Sequence, residues 1–196
     1  MTELIQHSRR AVLGGTGKTL TVAGLSAFIG VSASQFAISD AHAKKPSSQD
    51  IGILNAAIAL EHEGIAAYTI AAGSGLLQPA VVQVGVTFRG HHQVHRDELI
   101  KAVRSLGGEP PAAKTDAEYA ADLGVSKLKN QTDVLRLALQ LERGATNAYL
   151  GLIPSLKVQN FHLLAARMAG DEAYHVAILA NALGESIPPE GLIFGG

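Results

Sequence analysis

Cysteine is absent from the sequence. That excludes disulfides, thiolate metal sites and cysteine nucleophiles. Tryptophan is absent too, and aromatic residues make up only 5% of the chain. Charge of one sign is also lacking, with 16 basic residues against 17 acidic ones. Such a balance gives no bulk attraction to nucleic acid or to an anionic membrane, and nucleic acid is not an expected partner. No window keeps the apolar–polar alternation of a half-buried strand, so the predicted class is all-α. What the chain does have is abundant alanine and leucine, which suits helices packed closely on one another. Its 196 residues are enough for one domain with a sizeable core.

Residues 1–43 read as an export signal. A basic front carries Arg9-Arg10, a weakly apolar run rich in glycine, alanine, serine and threonine follows, and "AHA" ends it. Small residues at those last positions are what a signal peptidase requires. Ser8-Arg9-Arg10-Ala11-Val12-Leu13 resembles the twin-arginine export motif. Cleavage after Ala43 starts the mature chain at Lys44, implies a periplasmic or extracellular location, and leaves nothing stably inserted in a membrane. The rival reading is an uncleaved anchor, which the short, glycine-rich run supports poorly. "GGTGKT" in this segment imitates a phosphate-binding loop, but Val12 stands where that loop needs its first glycine.

Beyond a linker at 44–49, four helices are expected within residues 50–185. The first runs from Asp50, as its cap, to about Ala72, where "GSGLLQP" breaks it. Pro79 suits the first turn of the second, which runs to about Leu106. The polar, interrupted stretch 108–130 holds at most one short helical turn. Thr132 or Asp133 caps the third helix, which ends near Pro154, and the fourth runs from about Gln159 to Leu183. Residues 186–196 form an irregular tail. Short loops within each pair and one long middle connection give two antiparallel hairpins joined by a crossover.

Each helix carries an apolar stripe at steps of three and four residues that is interrupted near its middle. The stripes run Leu54, Ile58, Glu61, Ile65, Tyr68; Phe88, His92, His95, Leu99; Leu135, Leu139, Glu142, Ala145, Tyr149; and Met168, Glu172, His175, Leu179. Burying a lone carboxylate is costly, so four interruptions at matching heights call for a shared counter-charge. A metal centre supplies one. A salt-bridged core network, or a stripe rotated towards solvent, is the bland alternative.

The two hairpins repeat each other. "LEHEGIAAY" (60–68) matches "LERGATNAY" (141–149), and "GHHQVHRDEL" (90–99) matches "GDEAYHVAIL" (170–179). Glu61 to Glu142 and Tyr68 to Tyr149 are both 81 positions, and His95 to His175 is 80. A register kept across two motif pairs reads as duplication of a helical hairpin. A glutamate on one helix of each hairpin, with Glu-x-x-His on the other, resembles the ligand set of the ferritin-like dinuclear carboxylate proteins. The resemblance spans about residues 50–185 and looks closest to exported ferritin-like proteins that include desiccation-associated members.

That resemblance implies a ferritin-like four-helix bundle with Glu61, Glu142, Glu172, His175 and His95 as metal ligands. The family pattern expects glutamate at position 92, where this chain has His92. One bridging anion is thereby lost, and the set Glu61, His92, His95, Glu142, Glu172, His175 remains acceptable for iron, manganese or zinc, with iron or manganese expected, as two ions held unequally or one. Tyr68 and Tyr149 are expected to bond ligand carboxylates. Asp171 and Asp97 are candidates to orient ligand rings or to face solvent, and His91 to back the site, to face solvent, or to be the ligand in place of His92. His62, Glu63 and His162 are expected to be exposed. The implied activity is metal-dependent oxidation, with O2 or peroxide as co-substrate and oligomer formation left open. Two rivals stand beside it: a structural stress or envelope protein with a vestigial or single-ion site, and iron storage, which needs a shell assembly.

Overall fold

The computed structural model describes residues 46–195, and the predicted export signal lies outside them. The described residues are helical, with no strand among them: α1 Pro46–Gly73, α2 Pro79–Ser105, α3 Asp116–Asp122, α4 Gln131–Leu152 and α5 Gln159–Ala182. Short 3-10 turns lie at Val125–Lys127 and Ile153–Ser155. The chain forms the expected bundle. α1 packs along α2, α4 along α5, and the hairpins meet through α1 with α4 and α2 with α5. The crossover between α2 and α4 holds α3, which lies against α1. No described helix is long and apolar enough to cross a membrane.

Local chemistry sets the boundaries. Pro79 opens α2, where its missing N–H costs nothing. Thr115 and Glu118 form a reciprocal capping box at α3. Gly184, at φ 71, takes the left-handed conformation that ends α5. Two caps differ from expectation. The Asn130 side chain, not Thr132 or Asp133, caps α4 by accepting from Asp133 N at 3.0 Å. Helix α1 begins at Pro46, so residues 46–49 of the expected linker are helical and Asp50 lies a turn inside the helix. Asp50 is fully buried, and its carboxylate accepts from Lys157 N and Val158 N, each at 2.8 Å, at the foot of α5. α5 has no cap side chain from its own sequence, so Asp50 supplies one from α1.

The core has two apolar layers. Leu54, Ile58, Leu99, Val103, Leu152 and Met168 belong to one, and Phe88, Leu135, Leu139, Val176 and Leu179 to the other. Along every long helix the acids and histidines fall between residues of these layers. A polar stratum therefore crosses the middle of the bundle, sealed at both ends.

Candidate metal centre

Glu61, His92, His95, Glu142, Glu172 and His175 are all buried, and both Glu172 and His175 are fully so. Four helices contribute them: Glu61 from α1, the first two histidines from α2, Glu142 from α4, and Glu172 with His175 from α5. His92 Nδ1 lies 2.8 Å from Glu61 Oε2, and its Nε2 lies 3.3 Å from Glu142 Oε1. The ring thus spans the site from one hairpin's glutamate to the other's. His95 Nδ1 is 3.1 Å from Glu172 Oε1 and 3.6 Å from Glu61 Oε1. His175 Nδ1 is 3.2 Å from both Glu142 Oε2 and Glu172 Oε2.

Two overlapping groups of donor atoms, each within 4.8 Å of one another, result: Glu61, His92, His95, Glu172 and His92, Glu142, Glu172, His175. Glu172 and His92 belong to both. Carboxylate and imidazole donors in fours, buried and convergent, fit a divalent transition-metal ion.

The surrounding contacts cross between hairpins. The Tyr68 hydroxyl of α1 donates to Glu142 of α4, and the Tyr149 hydroxyl of α4 donates to Glu61 of α1. Asp171 Oδ2, on α5, lies 3.1 Å from His95 Nε2, and His91 Nδ1, on α2, lies 2.9 Å from His175 Nε2. His91 is half-buried and backs His175, and the more exposed Asp171 backs His95. Phe88 stacks on His175 with ring centroids 4.0 Å apart. His62, Glu63 and His162 are half-buried, against expectation. His62 meets Pro111 O at 3.3 Å, because the crossover covers that side of α1, and His162 meets Leu156 O at 3.0 Å. Burial pushes Glu63 up to about 7.

Without a metal ion the acids and imidazoles of the stratum set one another's ionisation. Burial pushes the Glu61 carboxyl up, but His92 and His95 outweigh it and hold it at about 2. Burial raises Glu142 as well, and hydrogen bonds from Glu172, His175 and His92 hold it well below the carboxylate range. Glu172 stays raised, by burial first and by its contact with Glu142, against the lowering pull of His92, His175 and His95. Burial disfavours charge on the imidazoles, yet the carboxylates raise all three: His92 well above its ordinary value, His95 to about 10, and His175 upward. Burial and a neighbouring carboxylate push both tyrosines up, so each hydroxyl keeps its proton to donate.

One contributor escaped sequence reasoning. A Cβ on Gly64 would sit 3.0 Å from His92 Nδ1 and Cε1. Gly64 therefore leaves room for the imidazole. The signal was in the repeat, because Ala145 stands 81 positions on, opposite the ordinary Glu-x-x-His helix.

The fold, the duplicated hairpin and this buried stratum together define a helical bundle with a central acid–imidazole site. The ferritin-like domain family model matches residues 49–185, and the chain belongs to that family. A conserved hypothetical protein of Mycobacterium tuberculosis has a similar fold, with TM-score 0.60, 22% identity, and coverage of 76% of this chain and 99% of that one. Among curated protein sequences no match was found.

Proposed function

We propose that this chain is an exported ferritin-like protein that holds iron or manganese, as two ions or one, and uses them in ferroxidase, oxidase or peroxide-handling chemistry. The observation that supports it most is the pair of overlapping donor groups sharing Glu172 and His92. Iron or manganese bound there supplies one-electron redox steps towards O2 or peroxide. The protein's residues do the rest. Glu61, Glu142 and Glu172 offset the positive charge of the ions. The crossed tyrosines hold the carboxylates of Glu142 and Glu61 in place. Asp171 and His91 fix the rings of His95 and His175, leaving each Nδ1 for the site. The apolar layers keep bulk water from both ends of the stratum. Export rests on the twin-arginine-like Ser8-Arg9-Arg10 and the small-residue "AHA".

A second reading, a structural envelope protein, is favoured by one feature: every ligand imidazole already has carboxylate partners, so the core is satisfied without an ion. Metal analysis of protein purified from its own cell separates the two. The metal reading expects at least one equivalent of iron or manganese. Folded protein with less than one equivalent of any transition metal overturns it. Replacing Glu142 and Glu172 by Gln should remove the metal. Unchanged metal content and stability support the structural reading.

A further inference from the structure

The two donor groups are built on the same plan but are backed by different residues. In the repeat, position 91 corresponds to 171 and position 95 to 175, each 80 positions apart. Each backing residue reaches across to the other hairpin's histidine. Asp171 thus stands behind His95, and His91 stands behind His175, at 3.1 and 2.9 Å. A histidine that gives Nδ1 to a metal keeps its proton on Nε2 and donates it. For His95 the acceptor is a carboxylate. For His175 it is the Nδ1 lone pair of another imidazole, which carries no negative charge when it accepts. An anionic acceptor makes the metal-bound ring the stronger donor.

His92 belongs to both donor groups and makes them unequal in ligand number whichever ion it serves. A neutral imidazole has one lone pair, so His92 serves one ion of a pair and leaves the other with three protein ligands. The glutamate expected there could have served both. The ring's two nitrogens face different glutamates, Glu61 and Glu142, and Gly64 gives it the space to do so.

Resting on the metal-binding reading above, we propose that the two positions fill in order. A first divalent cation binds tightly at Glu61, His95 and Glu172. A second binds weakly at Glu142, Glu172 and His175, and His91 is the positioning residue that makes it weak. The repeat supplies the way to reverse this. Asp171 already reaches a ring from the corresponding position, so an aspartate at 91 has the same reach towards His175 Nε2.

Co(II) titrated into the metal-free full-length chain, followed by calorimetry and by its ligand-field absorption, tests the order. Two steps are expected, separated by about tenfold or more in affinity. Asp171→Asn keeps an acceptor oxygen but removes the charge. It should weaken the first step by about 10–100-fold and leave the second. His91→Asp should tighten the second step by a similar factor and close the gap. His91→Asn, an acceptor without charge, should keep the wild-type gap, which a purely structural role for His91 does not predict if His91→Asp closes it. Two equal sites in the wild type overturn the order. So does a gap that His91→Asp leaves unchanged, or an Asp171→Asn effect confined to the second step. No Co(II), Mn(II) or Fe(II) binding by folded protein overturns the metal reading itself, a result distinct from all of these.

Discussion

The first hairpin, α1 with α2, and the second, α4 with α5, share a register, and three of the positions at which they differ lie at the buried site. Where the second has Glu172, Asp171 and Ala145, the first has His92, His91 and Gly64. Gly64 makes room for the His92 ring, and His91 stands against His175. The lesson is that a change of ligand type in a packed core is a change of shape and of charge together. A histidine is bulkier at its base than a glutamate and carries one lone pair instead of two oxygens. The neighbouring glycine answers the first problem, and nothing in the first hairpin answers the second.

The comparison breaks most visibly at Glu172, the one carboxylate common to both donor groups. Glu172→Ala should abolish binding at both positions. Glu61→Gln and Glu142→Gln should each remove one, read as metal equivalents by elemental analysis after equilibrium dialysis. Equal loss from all three variants would mean that the halves are not separate.

A pH series on metal-free protein comes next. His95 is raised from 6.5 to about 10, so its contribution to stability is complete below pH 6.5 and fades as pH rises towards 10. Glu61 is lowered from 4.5 to about 2, so its contribution is complete above pH 4.5 and is lost as pH falls towards 2. Denaturant unfolding in the presence of a chelator should therefore show a plateau between those limits and a decline on either side. Metal binding displaces protons from the imidazoles, so affinity should climb with pH in the same buffers.

The crossed tyrosines offer a test of equivalence. Tyr68→Phe and Tyr149→Phe each remove one hydrogen bond to a carboxylate, and each should cost about 1.5–3 kcal/mol by chemical denaturation. Clearly different costs would show that the hairpins support their glutamates unequally.

The smallest effect is expected at Gly64. Gly64→Ala gains helix propensity but forces a methyl against a ring held at both nitrogens, for a net loss of about 1 kcal/mol. Adding His92→Glu, which restores the pairing seen at Ala145 and Glu172, should recover that loss in a double-mutant cycle.

The bundle itself was legible in the sequence because each long helix carries one continuous stripe, and a stripe at 3.6-residue spacing leaves little freedom about which face is buried. The meeting of the six acids and histidines followed from their matching heights in those stripes. Contacts between elements were not legible. Asp50 has the form of a local helix cap, and only the folded chain shows that it serves amides far along the sequence. His91, off the stripe by one position, could not be told from a solvated residue until the α5 ring stood beside it. Half-burial of His62 and Glu63 likewise depends on where an irregular crossover lies, which periodicity does not encode.

Asp50 also limits how far the front of the chain can be trimmed. The cleavage expected after Ala43 would leave six residues, 44–49, ahead of it. Gln49 still bonds Ser155 O at 2.7 Å, so the tolerance is already spent by the time a protease reaches that residue. One position further, the cut exposes the amides of Lys157 and Val158, 107 and 108 positions downstream, and loosens the foot of the helix that carries Glu172 and His175. A ragged N-terminus would thus register as heterogeneous metal content, and mass spectrometry of the intact chain is a sensible companion to every metal measurement.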